Sequence, residues 1–313
     1  MRISDITNHC NEITYIGKGS YGRVYKMCLK NQSIVHRLNC NFCKKYYKKD
    51  IVVKEVKTTE CYTEKEIKEE YEYHKKCYDS NPNIFIKIYD FWMEETKRGI
   101  LNDYLYPRSL GLFVLEYMNS LSLKEYFDNY LNNSLDSDET EVYNTQKINI
   151  SSLIFTILYI INYLHNELNI CHGDISTNNI FINYVGEHYT EQLLEYNNKQ
   201  YRIPTNGFHI KIGDFSVTDK ISFKKTIYIK RDYIVLCNMY ILKQNWKYLT
   251  DINTFHEILN FIEKNIIEYF GKDKHFYTNN KKFWNCKSKY IDESVLYYIY
   301  PKQLLNKYIE LYL

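Results

Sequence analysis

The stretch ITYIGKGSYGRVYKMCL, residues 13–29, narrows the fold of the first hundred residues more than any other segment. It sets Gly17, Gly19 and Gly22 in a G-x-G-x-x-G pattern, which alone also fits a dinucleotide-binding turn. A dinucleotide fold needs a helix directly after the glycines, with its N-terminus facing the pyrophosphate. Here RVYKMCL follows, alternating in polarity and suited to a strand. The spacing therefore predicts a strand–turn–strand hairpin whose glycines let the backbone approach a phosphate closely.

The same region adds a short apolar strand, IVVKEV (51–56), and another, GLFVLEYM (111–118). From 120 onward helical periodicity takes over. It marks SLKEYFDNYL, residues 150–165, residues 232–246, FHEILNFIEKNIIEYF (255–270) and the C-terminal ESVLYYIYPKQLLNKYIELYL. Two hydrophilic insertions, about 29–49 and 183–207, interrupt this plan. The expectation is a β-rich part over 1–118 and a helical part over 119–313, which 313 residues accommodate as two lobes.

Composition excludes several classes. Forty-one basic against 38 acidic residues leave +3, too balanced to call for nucleic acid. Nine cysteines at irregular spacing, behind a start (MRISDITNHC) with no apolar leader pattern, point to reduced thiols in an intracellular compartment. The longest apolar run, from Ile150 to Leu164, is broken by serines and too short to span a bilayer comfortably. A soluble, cytoplasmic protein without membrane contact is expected. Cys40 and Cys43 with nearby His36 make half a zinc site with no second pair at standard spacing, so that insertion reads as a solvated flap. Trp246, Trp284 and the tyrosines at helical spacing read as core packing.

Lys54 lies inside an apolar strand, where a charge must find a partner or a ligand. The following segment, TEKEIKEEYEYHKKCYD, opens with Thr63 and Glu66 in capping-box spacing, so the cap occupies Glu66. At about 100° per residue, Tyr71, His74 and Tyr78 share the face of Ile67, and Glu70 borders it. Glu69 and Glu72 point away. Glu70 is the acidic residue placed to reach Lys54.

Further on, NICHGDISTNNIFI (169–182) puts His172, Asp174 and Asn179 in a polar loop between an apolar helix and a short strand. A carboxylate such as Asp174 can accept a proton from an attacking hydroxyl, and an amide oxygen such as that of Asn179 suits Mg²⁺. Thirty-five residues after Asn179, the strand-like IKIGDFSV ends in Asp214, a second hard oxygen ligand. Such groups around metal-bound phosphates are what phosphoryl transfer requires, because that chemistry is mostly positioning and charge neutralisation.

Taken in order, IGKGSYGRVYK, VVKEV, the helix with Glu70, LFVLEYM, HGDISTNN and IGDFS resemble the subdomains of the eukaryotic-type protein kinase superfamily over about residues 14–235. The resemblance implies an α+β, bilobal fold: an antiparallel sheet with one helix in the first lobe, a mainly helical second lobe, and the nucleotide in the cleft between. It implies an ATP- and Mg²⁺-dependent Ser/Thr protein kinase acting on a protein substrate. Lys54 would hold the α/β-phosphates and pair with Glu70; Asp174 would be the catalytic base; Asn179 and Asp214 would bind Mg²⁺. The nucleotide loop would comprise Ile16, Gly17, Lys18, Gly19, Ser20, Tyr21, Gly22, Arg23 and Val24. Leu115 resembles the gatekeeper, with adenine bonded to the backbone of Glu116 and Met118.

Four departures from the family pattern carry consequences. Gly173 replaces the Arg that clamps a phosphorylated activation loop, which implies activity independent of loop phosphorylation. Ser176 replaces a Lys beside the γ-phosphate, a loss of about 2–3 kcal/mol of transition-state stabilisation if uncompensated. The Rio kinases, an atypical branch, are similar in carrying Ser there. Asp214-Phe215-Ser216 replaces Asp-Phe-Gly, with Ser the stiffer residue. No Ala-Pro-Glu follows. Asp232 instead resembles the buried Asp that begins the central helix of the second lobe, 18 positions past Asp214. The intervening FSVTDKISFKKTIYIKR is short and basic, which suits an acidic or phosphorylated substrate. Two other readings share parts of the pattern: a small-molecule phosphotransferase of the aminoglycoside or choline kinase type, and a nucleotide-binding pseudokinase scaffold.

Overall fold

The computed structural model describes residues 12–18, 22–28, 50–60, 62–98, 103–118, 120–132, 148–221 and 301–312, with single positions elsewhere that include Cys10, Ile100, Asp232 and Phe261. The insertion 29–49, the loop residues Gly19, Ser20 and Tyr21, and most of the expected helices at 232–246, 255–270 and 293–300 lie outside the described residues. Contacts divide the chain into two units: Met1–Met118 with Asp214–Ser216, and Asn119–Gly213 with Val217–Leu313.

In the first unit, β1 (Glu12–Lys18), β2 (Gly22–Cys28), β3 (Asp50–Lys57), β4 (Ile88–Arg98) and β5 (Asp103–Glu116) form an antiparallel sheet in the order β1-β2-β3-β5-β4. Strand alternation sorts its side chains. Tyr25, Met27, Ile51, Val53, Leu112 and Val114 bury themselves on one face. On the other, Val56, Ile88 and Phe113 pack with Tyr62 and with Ile67 of α1 (Glu64–Ser80). Thr63 caps α1 as its spacing with Glu66 demands: each side chain bonds the other's backbone N–H. The buried stripe of α1 is Ile67, Glu70, His74 and Cys77.

Two strand boundaries differ from expectation. β5 begins at Asp103 rather than Gly111, and its partner β4 is a strand that the hydrophobic pattern does not single out. The charged Glu94, Glu95, Lys97 and Arg98, together with Pro107, interrupt the apolar alternation there although the backbones still pair.

In the second unit, β6 (Ser120–Ser122) leads into α2 (Leu123–Asn132), and α3 (Ile150–Asn162) is buried almost all round. That explains its unbroken apolar character: it is a core helix. No helix among the described residues is long and apolar enough to cross a membrane. A π-helical turn, Tyr163–Glu167, ends α3 and turns His165 inward. Then come β7 (Ile170–Cys171) and β8 (Ile180–Tyr184), with β8 central in a β11-β8-β6 sheet, β11 being Phe208–Ile212. The stretch 183–207, expected only as a hydrophilic insertion, contains a hairpin of β9 (Glu191–Tyr196) and β10 (Lys199–Pro204). Its tip residues Asn197 and Asn198 both have positive φ (50° and 58°), the requirement of a two-residue type I′ turn. Alternate residues Gln192, Leu194 and Tyr196 are buried. The Tyr159 hydroxyl of α3 donates to the Glu195 carbonyl at 2.9 Å, and that of Tyr196 to Asn306 of α4 (Pro301–Tyr312) at 2.9 Å. β12 (Asp219–Lys220) pairs with β7.

Candidate active site

Within the first unit a charged cluster forms around Lys54. In β3, Lys54 lies opposite Val24 of β2 and Phe113 of β5, so it points to the α1 side of the sheet. Its Nζ donates to Glu70 Oε1 at 2.6 Å and to Asp214 Oδ1 at 2.7 Å, although Asp214 is 160 positions further along the chain. Burial works against the ammonium, but the charges of Asp214 and Glu70 outweigh it and hold the amine above its ordinary value. Burial likewise pushes the Glu70 carboxyl up, and Asp214 adds to this against the opposing pull of Lys54 and of a hydrogen bond from Tyr62. Asp214 has φ +62°, the left-handed region in which Asp is one of the few tolerated side chains. The neighbouring Phe215 ring lies 4.6 Å from that of His74, whose Nε2–H donates to the Ile86 carbonyl at 2.8 Å.

The expected nucleotide loop is partly described. β1 and β2 slip register between Tyr15 and Gly17, leaving Ile16 as a bulge with its side chain 49 % exposed. Lys18 pairs with Arg23, and Gly17 with Val24. At Gly22 a Cβ would fall 2.1 Å from the Glu55 carbonyl oxygen, so this close strand approach admits only glycine. Arg23 stands opposite Glu55 in register, and alternation gives it the face of Tyr25 rather than that of Val24 and Lys54. Leu115 packs against the α1-side cluster. Glu116 is tied to Lys87 twice: its N–H donates to the Lys87 carbonyl at 3.0 Å, and its Oε1 accepts from the Lys87 N–H at 2.6 Å. Met118 closes this unit.

The second unit holds the loop of Asp174. Among the described residues, Asp232, 0 % exposed, accepts three hydrogen bonds. These come from the backbone N–H of His172 to Oδ2 (2.9 Å), the backbone N–H of Gly173 to Oδ1 (2.7 Å) and His165 Nε2–H to Oδ2 (2.8 Å). A carboxylate can only accept, so each partner donates. Gly173 has φ +78°, which gives glycine at this position a backbone reason independent of the missing Arg. His172 is fully buried and its Nε2–H donates to the Gly213 carbonyl at 3.2 Å. Asn179 Nδ2 donates to both the carbonyl (2.9 Å) and Oδ2 (3.0 Å) of Asp174. That orientation makes Oδ1 the side-chain atom of Asn179 that can meet a cation. Beyond Asp214 the chain is anchored again in this unit: Thr218 Oγ1 donates to the His172 carbonyl at 3.3 Å, and the Ile221 N–H to the Asn169 carbonyl at 3.1 Å.

Lys54, Glu70 and Asp214 thus converge in one unit, and Asp174 and Asn179 in the other. Sequence reasoning passes over Tyr62, whose hydroxyl donates to Glu70 Oε2 at 2.5 Å, and over His165. Neither belongs to a short motif; only helical phase, which turns His165 inward, offers a signal.

One solved crystal structure of a kinase domain is 21 % identical with a TM-score of 0.41, covering 71 % of this chain and 55 % of that one, so the chain spans little more than half of its length. Among curated proteins none matches. The family described as protein kinase domain matches residues 10–241, well over half of the chain, in the region that carries every group placed above except the C-terminal helix; this chain belongs to the protein kinase family.

Proposed function

We propose that the chain is an ATP-dependent kinase that transfers the γ-phosphate to Ser or Thr hydroxyls of a protein substrate, with 1–118 as nucleotide-binding lobe and 119–313 as catalytic lobe of one kinase domain. The observation that carries this reading is the Lys54 ammonium seated between Glu70 (2.6 Å) and Asp214 (2.7 Å). A lysine placed in this way is a point charge prepared for phosphate oxygens, and Glu70 keeps it from folding back onto the sheet. Ile16 and Val24 offer apolar contact for a base, and the backbone of Glu116 and Met118 its hydrogen bonds.

Asn179 Oδ1 and the Asp214 carboxylate are each hard oxygen donors of the type that Mg²⁺ takes, and Mg²⁺ keeps part of its shell for substrate phosphates. Held by these residues, Mg²⁺ would supply charge neutralisation for the phosphoryl group being transferred. Among the described residues no group of three or more His, Cys, Asp or Glu side chains is placed to hold a metal on its own. Asp174 would receive the proton of the attacking hydroxyl, and its Oδ2 is already oriented by Asn179 Nδ2. Asp232 anchors the Asp174 loop through the backbone N–H groups of His172 and Gly173, without an Arg–phosphate clamp, which supports activity independent of loop phosphorylation.

The test is transfer from γ-labelled ATP with Mg²⁺ to acidic and basic protein substrates and to a panel of small alcohols. The expected result is label on protein Ser or Thr, unchanged by prior phosphatase treatment of the enzyme and lost in Asp174→Ala. Label on the small alcohols alone would replace this reading with a small-molecule phosphotransferase. Nucleotide binding without transfer would make the chain a pseudokinase.

A further inference from the structure

We propose that Tyr62 is a positioning residue: from the connection between β3 and α1 it holds Glu70 against Lys54, so that the ion pair is set by local structure. This inference rests on the kinase reading for its catalytic consequence, though not for its geometry.

Glu70 is 3 % exposed and Tyr62 5 %. A carboxylate at that depth receives little help from water, so each oxygen needs a protein partner. Oε1 takes Lys54 and Oε2 takes the Tyr62 hydroxyl. Two partners on two oxygens fix the plane of the carboxylate as well as its position. The phenol is a dependable donor, because burial, reinforced by the Glu70 charge, pushes its proton loss far above the ordinary tyrosine range.

Tyr62 is itself held. Its backbone bridges to Thr59 in both directions (2.9 and 3.4 Å), and its ring belongs to the cluster of Val56, Ile67 and Phe113. The connection is pinned to β5, since the Thr58 N–H (3.0 Å) and Oγ1 (3.1 Å) both donate to the Ser109 carbonyl. The Ser109 hydroxyl in turn donates to Glu64, the first residue of α1, at 2.5 Å. The helix sits hard on the sheet at Gly111, where a Cβ would meet Ile67 Cγ2 at 2.3 Å. The position of α1 and the orientation of Glu70 are therefore both determined from within 54–113.

Lys54 has a second carboxylate, Asp214, at almost the same distance as Glu70. With the phenol gone, Oε2 is left buried without its donor, and Glu70 gains by turning away while Lys54 moves toward Asp214. Tyr62→Phe keeps the ring and removes only the hydroxyl. The expected effect is a fall in kcat of about tenfold, the scale of one hydrogen bond to a charged group, with KM for ATP within about threefold. In a Glu70→Ala background the same substitution should change kcat by less than about twofold, since a residue acting through Glu70 has nothing left to act on. An unchanged kcat, or equal losses in both backgrounds, overturns the proposal.

Should the wild-type chain transfer no phosphate, the kinase reading fails and amide hydrogen exchange decides about Tyr62 alone. Faster exchange in Tyr62→Phe confined to α1 supports the latch. Unchanged exchange, or a rise spread over the whole sheet, overturns it.

Discussion

Asp174→Ala is expected to lower phosphate transfer about a thousandfold, within the range lost with a general base. The loss should be chemical rather than structural. The loop is held by Asp232 through the backbone of His172 and Gly173, and neither bond involves the Asp174 side chain. The substitution removes one acceptor from Asn179 Nδ2, while the Asp174 carbonyl remains as the other. Melting temperature should therefore stay within a few degrees. Nucleotide affinity should change less than about threefold, because the groups proposed to hold phosphates and base belong to other parts of the chain. Transfer measured with labelled ATP, alongside calorimetric titration of the nucleotide, checks both halves. Activity retained above a tenth of wild type would remove Asp174 from the proposed role.

Asp232→Ala should act in the opposite way, on folding first. It strips one buried acceptor from three donors: two backbone N–H groups and His165 Nε2–H. Removing one partner from a buried charged network costs about 3–5 kcal/mol, since the survivors lose water and gain nothing. Urea unfolding should show the drop, and transfer should fall with it because the turn bearing Asp174 loses its anchor. Asp232→Asn should fall between, as its amide NH₂ cannot replace the oxygen facing one of the backbone donors. A stability change below about 1 kcal/mol in Asp232→Ala would show that water or a rearranged loop replaces the carboxylate.

How much of this was legible in the amino-acid order follows from the range of the forces involved. Local rules place the β1–β2 hairpin, whose glycines and alternation are adjacent in sequence. The same holds for the cap of α1, where Thr63 and Glu66 meet within a single turn. Helical phase picks Glu70 from among its acidic neighbours, and the structure places it 2.6 Å from Lys54. Long-range pairing is harder to read. β4 is a strand because β5 lies beside it, with Phe91 opposite Phe113 and Trp92 opposite Leu112, whereas its charged distal end resembles a loop. The β9–β10 hairpin is hidden for a related reason. Its outward face carries Glu191, Glu195 and Arg202, and only the inward Leu194, Tyr196 and Ile203 reveal a core. Its Asn197-Asn198 tip was the readable signal. Tyr62 has no sequence signature, because its role depends on a carboxylate that reaches it only once the helix is docked.

The left-handed backbone at Asp214 sets competing demands on that one position. A φ of +62° costs a side-chain-bearing residue about 1–2 kcal/mol that glycine would not incur. Replacing the aspartate by glycine would relax the main chain and leave Lys54 with a single carboxylate, while a branched residue would lose the charge and aggravate the torsion as well. The main chain and the ion pair with Lys54 therefore pull in opposite directions at this position, and only a short acidic side chain meets both.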